Sequence, residues 1–260
     1  MSDVLVEKEG NLLKLTLNRP AQMNALSDEM KQVVLDEVMD VITNKSARAI
    51  LLSGAGKGFC AGADLQGDSL ASRREKIEGY MMAGVNKMVQ ALHEVPVPVI
   101  VALNGPAAGA GCGLALAGDL IIASQSAKLV TAFSRIGAVL DGGMSWALTH
   151  KVGPARAMGM AMFGGKAITA QQALEWGLVW EVVEDDKLQE RSLELARTLA
   201  DGPTVALGLI KRQIAYAQNN SIADVVRFEA ACQAEAFRSE DFPEGVTAFQ
   251  QKRKPNFLGK

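Results

Sequence analysis

Val97-Pro98-Val99-Ile100-Val101-Ala102-Leu103-Asn104-Gly105-Pro106-Ala107-Ala108-Gly109-Ala110-Gly111-Cys112-Gly113 decides the fold of this chain. An apolar run of strand length breaks at Asn104-Gly105-Pro106 and becomes a segment with almost no side-chain bulk. Leu114 to Asp119 continues as a helix-compatible piece, and Leu120 to Ala123 is a second apolar run. Phe133 to Gly143 closes the stretch and carries one acid, Asp141. The order reads as buried strand, tight turn, helix N-terminus, strand and acid-bearing loop. Small residues at a helix start let a ligand reach bare backbone N–H groups. One carboxylate among apolar neighbours is a candidate acid–base group.

Toward the N-terminus, Leu12 to Asn18 has strand character and stops at Arg19-Pro20. Ser27 is an expected N-cap, with Asp28 and Glu29 in the first turn of a helix to about Thr43. Ala49 to Ser53 is a short buried strand. Phe59-Cys60-Ala61-Gly62-Ala63-Asp64-Leu65 repeats, more weakly, the small-residue character of the central stretch. Gln66 to Arg74 is polar and suits a lid or insertion, and one helix is expected from about Glu75 to His93. Toward the C-terminus, Pro154 opens a helix through Met162, and Thr169-Ala170-Gln171-Gln172 reads as a capping box. A strand follows from Val179 to Val183, then helices starting at Pro203, Ser221 and Asp241. Strand–strand–helix units early and helices late make an α/β core with a helical C-terminal part.

At 260 residues the chain suits one large domain, or a domain with a helical appendage, and 48% hydrophobic content supplies its core. A formal net charge of −2 gives no electrostatic case for nucleic acid. No apolar run reaches the ~18 residues of a membrane span, and the start lacks a basic-then-apolar leader, so a cytoplasmic protein without membrane partners is expected. Cys60, Cys112 and Cys232 have no metal-like spacing and read as reduced structural thiols. With only His93 and His150, no metal site is expected.

The familiar glycine motifs fail. A dinucleotide fingerprint on Gly109, Gly111 and Gly113 breaks at Leu114, and Gly165-Lys166 is followed by Ala167 instead of Ser or Thr. Gly143-Met144-Ser145-Trp146-Ala147 lacks the closing glycine of a nucleophile elbow. Two small-residue turns, near Ala63 and Ala110, remain together with Asp141. Two backbone N–H groups converging on one oxygen make an oxyanion hole. Packing glycines and a surface turn acid explain the same residues, and composition alone does not separate the two.

Asn18-Arg19-Pro20, Asn24-Ala25-Leu26, Gly58 to Leu65, Asn104-Gly105, Gly109-Ala110-Gly111, Gly118-Asp119, Ala170 to Val179 and Phe249 to Lys254 occur in an order that resembles the crotonase superfamily, the enoyl-CoA hydratase/isomerase family. The resemblance covers nearly the whole chain. It implies an α/β spiral of ββα units over residues 1–200 and a helical oligomerisation region over 201–260, assembled as a homotrimer or dimer of trimers. It implies an acyl-CoA substrate, so that CoA enters with the substrate and no separate cofactor is needed. The family's oxyanion-hole donors fall on Ala63 and Ala110. Ala25, Leu26, Ala61, Asp64 and Leu65 would line the CoA pocket, with Gly109, Phe133 and Leu140 near the acyl group. Lys252 in the basic tail would help hold CoA phosphates, on this subunit or a neighbour.

Departures from the family pattern direct the chemistry. The hydratases of the family carry two glutamates, one where Gly113 stands and one where Phe133 stands. Asp141 lies where some family isomerases and the 4-chlorobenzoyl-CoA dehalogenases place an aspartate. A dehalogenase would also need His at Gln90 and Trp at Phe133. Ala132 to Arg135 with Asp141, and Ala155 to Gly159, look closest to the ring-epoxide isomerases of phenylacetate degradation. The expectation is an acyl-CoA isomerase with Asp141 as its acid–base group. A hydratase with an atypical site, an aryl-CoA dehalogenase and a weakly catalytic CoA-thioester binder are the alternatives.

Overall fold

The computed structural model describes residues 2–64 and 74–260. β1 (Val4–Glu9) and β2 (Leu12–Leu17) form an antiparallel hairpin. α1 (Asp28–Asn44) leads to β3 (Ala49–Gly54), which lies parallel to β2. α2 (Ile77–Ala83) and α3 (Val85–Glu94) precede β4 (Val99–Leu103), parallel to β3. β5 (Pro106–Ala108), α4 (Ala110–Leu116), β6 (Leu120–Ser124) and β7 (Lys128–Val130) follow. Then come α5 (Met144–Met162), β8 (Ile168–Thr169), α6 (Ala170–Glu175) and β9 (Glu181–Val183). Four helices end the chain: α7 (Leu188–Ala200), α8 (Thr204–Ala217), α9 (Ile222–Ala236) and α10 (Asp241–Gln251).

The larger sheet has the order β1-β2-β3-β4-β6-β9 and the smaller β5-β7-β8. Successive units place one strand in the larger sheet, a short one in the smaller, and then a helix: β4–β5–α4, then β6–β7–α5. An isolated parallel bridge between Cys60 and Ala107 extends the smaller layer to the segment after β3. This is the expected spiral of ββα units. The parallel strands are covered on both faces, which explains their unbroken apolar runs. Leu12, Leu51, Ile100 and Ile122 pack under Leu188, Ala196 and Ala200 of α7. Leu13, Leu15, Ile50, Leu52, Val101 and Leu103 form the main core with Met30 and Val34 of α1 and Met88 and Leu92 of α3.

The expected caps are present. Ser27 accepts from the Met30 N–H at 3.0 Å. Thr169 and Gln172 form a reciprocal capping box, and Ser221 caps α9. Pro154 restarts α5 after a break at Gly153. The short strands β5, β7 and β8 were not expected, and two further elements differ. The helix expected over Glu75–His93 is two helices, because Gly84 leaves helical geometry at φ −106°, ψ −107° between them. β1 was not anticipated: only Val4 of its six residues is buried, so it has no alternating signal. Cys60, Cys112 and Cys232 are free and buried, and burial pushes the Cys60 and Cys112 thiols up to about 12.

A partly buried ion pair ties helix α8 to the core. Lys211 on α8 places Nζ 2.9 Å from Asp119 and donates to the Leu92 carbonyl at 3.0 Å and the Val97 carbonyl at 3.4 Å. Burial lowers the Lys211 pKa, and Asp119 opposes that shift. The Asp119 carboxylate also accepts from the Val99 N–H at 2.8 Å, which fixes the start of β4. Lys211→Met should keep the packing and strand the carboxylate and two carbonyls. Chemical denaturation should show a loss of about 1–3 kcal/mol, the range for leaving hydrogen-bonding partners unpaired at a partly buried site. A loss under about 0.5 kcal/mol would mean the pair is solvated in practice.

Candidate active site

The two small-residue turns meet through their backbones. Gly62 has φ +92°, and a Cβ there would sit 2.6 Å from the Ala108 carbonyl oxygen and 3.2 Å from the Ala110 nitrogen. Only a residue without a side chain permits this approach. The Leu26 N–H donates to Gly62 O at 2.8 Å, and the Ala108 N–H donates to Cys60 O at 2.9 Å. These bonds lock the two segments side by side. Ala110 is the first residue of α4, so its N–H has no partner within the helix. Among the described residues, neither Ala63 N–H nor Ala110 N–H donates to a backbone carbonyl. Both residues line one cavity of about 1280 Å³. Arg19 braces the first turn, donating to Ala25 O at 2.7 Å and to Asp64 at 2.9 Å. Asn24 is fully buried and donates to Ala55 O and Gly58 O.

Asp141 enters the same cavity from the loop before α5. Among the described residues its Oδ1 is buried without a hydrogen-bond partner. Burial raises its pKa from 3.8 to about 6. The cavity lining is mixed: Val85, Val89, Phe133, Val139 and Leu140 are apolar, and Asn86, Gln90 and Ser145 are polar. A helix-capping role for the side chain does not hold. Gly143 is the N-cap of α5 and receives no side-chain help, while Asp141 contributes only its main-chain carbonyl, which accepts from the Met144 N–H at 3.0 Å.

The loop lies on Gly113 of α4. A Cβ at Gly113 would stand 2.8 Å from Gly142 O and 3.3 Å from Gly142 Cα. A glutamate there has no space unless the loop that carries Asp141 moves. Phe133 is buried, with its ring 3.8 Å from where a Cβ on Gly109 would lie. Neither position offers a carboxylate to the cavity.

Of the residues singled out from the sequence, Leu26, Ala63, Asp64, Ala110, Phe133, Leu140 and Asp141 line the cavity. Ala25, Ala61 and Gly109 stand outside its lining; Ala61 donates to Met23 O at 2.9 Å, and Gly109 is the residue before α4. Leu65 lies outside the described residues, as does most of the polar stretch from Gln66. Lys252 is exposed beyond α10, away from the cavity wall of its own chain. Sequence reasoning missed Asn86, His93, Tyr80 and Trp146 as wall residues. Asn86, Gln90 and His93 are spaced as one face of α3, a polar stripe on a helix otherwise buried by Val85, Met88, Val89 and Leu92. His93 meets the Trp146 ring edge-on at 4.9 Å.

Comparison with known proteins agrees with this geometry. The family model for enoyl-CoA hydratase/isomerase matches residues 7–260. The chain is 43% identical to the 1,2-epoxyphenylacetyl-CoA isomerase of Escherichia coli (strain K12), across 100% of both chains. It is 36% identical to a short-chain-enoyl-CoA hydratase of Clostridium acetobutylicum, over 98% of this chain and 97% of the relative. The crystal structure of an enoyl-CoA hydratase from Bacillus anthracis superposes with a TM-score of 0.93 at 30% identity, covering 99% of this chain and 100% of that one. The chain belongs to the enoyl-CoA hydratase/isomerase family and has its crotonase-type fold.

Proposed function

We propose that this enzyme is an acyl-CoA isomerase in which Asp141 moves a proton between two carbons of the acyl group. The observation that carries the reading is the Asp141 carboxylate itself: an acid with an oxygen that is buried and unpaired among the described residues, lining the cavity that holds Ala63 and Ala110. The thioester oxygen sits between the Ala63 and Ala110 N–H groups. Asp141 takes a proton from carbon, and the C–H electrons move onto the thioester oxygen as an enolate that the two N–H groups stabilise. The new O–H of Asp141 then gives its proton to the far carbon, and the electrons return to form the shifted double bond. A base with a pKa near the working pH suits this task. Two-carboxylate hydration is disfavoured, because Gly113 and Phe133 occupy the positions that would supply the acids. The E. coli relative acts, by its name, on a ring epoxide, so an aryl ring-epoxide thioester is the first alternative substrate to a 3-enoyl-CoA.

The reading extends to assembly. Helices α8–α10 expose Ile210, Ile214, Ile222, Val226 and Phe249, the last at 86%. Exposure of this much apolar side chain on consecutive helices supports a subunit interface over residues 201–260. Lys252, just past Phe249, would then reach the CoA phosphates of a neighbouring subunit. Arg253 is held by Glu244 at 2.6 Å and is less suited to that role.

Asp141→Asn keeps the side-chain size and removes the base. Isomerisation of a 3-enoyl-CoA should fall by about 10²–10⁴ with little change in KM. In the wild type, kcat/KM should decline as pH drops through about 6, where Asp141 takes up its proton, and the variant's residual rate should lack that limb. A pH-independent wild-type profile, or a fully active variant, would remove Asp141 from the chemistry.

The same carboxylate has a stability signature. Its folded pKa, about 6, exceeds the ordinary value of 3.8. The folded state therefore holds the proton more tightly, and the stability this provides is complete below 3.8 and lost as pH rises through about 6. Asp141→Asn removes that loss. It should raise stability by about 1–3 kcal/mol at pH 8 and leave it unchanged near pH 3.5. Equal stability of the two proteins at both pH values would show that the carboxylate is solvated.

Sedimentation equilibrium at micromolar concentration should give a trimer or hexamer. A monomer would exclude both the interface and intersubunit help from Lys252.

A further inference from the structure

Among the described residues, Asp141 Oδ1 is buried with no hydrogen-bond partner, so no hydrogen bond to that oxygen holds the side chain in place. Its direction is set by the backbone that carries it. The peptide unit joining Asp141 to Gly142 is held at both ends. Its carbonyl accepts from the Met144 N–H at 3.0 Å, and its N–H donates to Oδ1 of Asn86 at 3.3 Å. The first bond comes from the start of α5 and the second from α3. Gly113 closes the underside of the same loop. Val85 and Val89, which flank Asn86 on α3, close its side, with methyl carbons 3.7–4.0 Å from where Cβ atoms on Gly142 and Gly143 would lie. Apolar contacts and a flat glycine floor limit the loop's position without fixing the rotation of a peptide plane. A hydrogen bond to that plane does fix it, and with it the Cα–Cβ direction of Asp141. Asn86 is itself constrained: it lines the cavity from the polar stripe of α3, and its Nδ2 donates to the Met82 sulfur at 3.7 Å.

We propose that Asn86 is the positioning residue for Asp141, aiming its carboxylate at the reacting carbons through the Gly142 N–H. This rests on the isomerase reading of Asp141. A misplacement of about 1 Å at the reacting group costs on the order of 10²-fold in rate, so a single hydrogen bond at this point has leverage well beyond its own strength.

Two variants separate positioning from packing. Asn86→Ala deletes the acceptor. Asn86→Asp keeps an acceptor of the same shape and adds a negative charge beside Asp141, whose other titratable neighbours along the cavity wall are Lys31, Asp64, Tyr80 and His93. With a 3-enoyl-CoA as substrate, Asn86→Ala should lose about 10–100-fold in kcat with KM nearly unchanged. Asn86→Asp should recover most of that turnover at high pH, with the acid limb displaced upward because a second carboxylate disfavours ionisation of the first. Carbon-13 NMR of labelled aspartate should show the Asp141 resonance titrating at higher pH in Asn86→Asp than in the wild type, independently of turnover. Wild-type kcat in Asn86→Ala would overturn the proposal. So would equal impairment of both variants with an unmoved limb and an unmoved Asp141 titration, which is the behaviour of a packing residue. Asp141→Asn assayed in parallel tells the two levels apart: if it stays active the isomerase reading fails, and if it is inactive while Asn86→Ala is not, only the role of Asn86 fails.

Discussion

Backbone must touch backbone around α4, and the site depends on that constraint. Gly62 lies against the Ala108 carbonyl, Gly111 against the Cys60 carbonyl, and Gly113 against the Gly142 carbonyl. All seven residues of α4 are buried. A methyl group at any of the three glycines would push apart segments that the hydrogen bonds around Leu26, Cys60 and Ala108 draw together. Overpacking of this kind typically costs about 1–3 kcal/mol or more. The first contact places Ala63 beside Ala110. The third seats the loop of Asp141 on the same helix. One short helix thereby sets how the Ala63 and Ala110 N–H groups lie relative to Asp141, and the rest of the spiral serves to hold its three neighbours in place.

That arrangement gives a physical reason for the chemistry to differ among relatives that share the fold. In this chain the floor at Gly113 is occupied by the Gly142 backbone, so a carboxylate at that point and the present path of the Asp141 loop exclude each other. On the proposed isomerase reading, the acid comes from the loop and not from the helix. Asp141 shares the cavity wall with Val85, Val89, Phe133 and Leu140, and burial raises its pKa to about 6. Desolvation weakens the charged form and brings proton affinity toward that of a useful base.

Much of this was legible in the residues. The run from Val97 to Gly113 stated the order strand, turn, helix, because a strand buried on both faces is uniformly apolar and a helix packed by its backbone is uniformly small. Ser27, Thr169 and Ser221 marked helix starts because a cap needs a short side-chain acceptor at one position. The family motifs placed Ala63, Ala110 and Asp141, and all three line one cavity. What was not legible depends on tertiary contacts. β1 is exposed at five of six positions and finds its place only by pairing with β2. The break at Gly84 follows from the meeting of two helices, where a glycine within an amphipathic run gives no local stop. Asn86 looked like one polar residue on a helix; its meaning comes from Gly142, distant in sequence, reaching its side-chain oxygen. The failure of Asp141 to cap α5 was equally invisible, since an acid two residues before a helix fits either role.

A single carboxylate shuttling one proton makes a demand that a hydration–dehydration route does not. With a 3-enoyl-CoA deuterated at the carbon that loses its hydrogen, turned over in ordinary water, part of the deuterium should reappear at the carbon that gains one. On the isomerase reading the label travels on Asp141 and is only partly exchanged, because burial limits the access of water to that carboxylate. Mass spectrometry of the product locates it. Retained label at the new position in the wild type, lost together with turnover in Asp141→Asn, is the result this account predicts. Complete replacement by solvent hydrogen in the wild type, with unchanged exchange in Asp141→Asn, would contradict it.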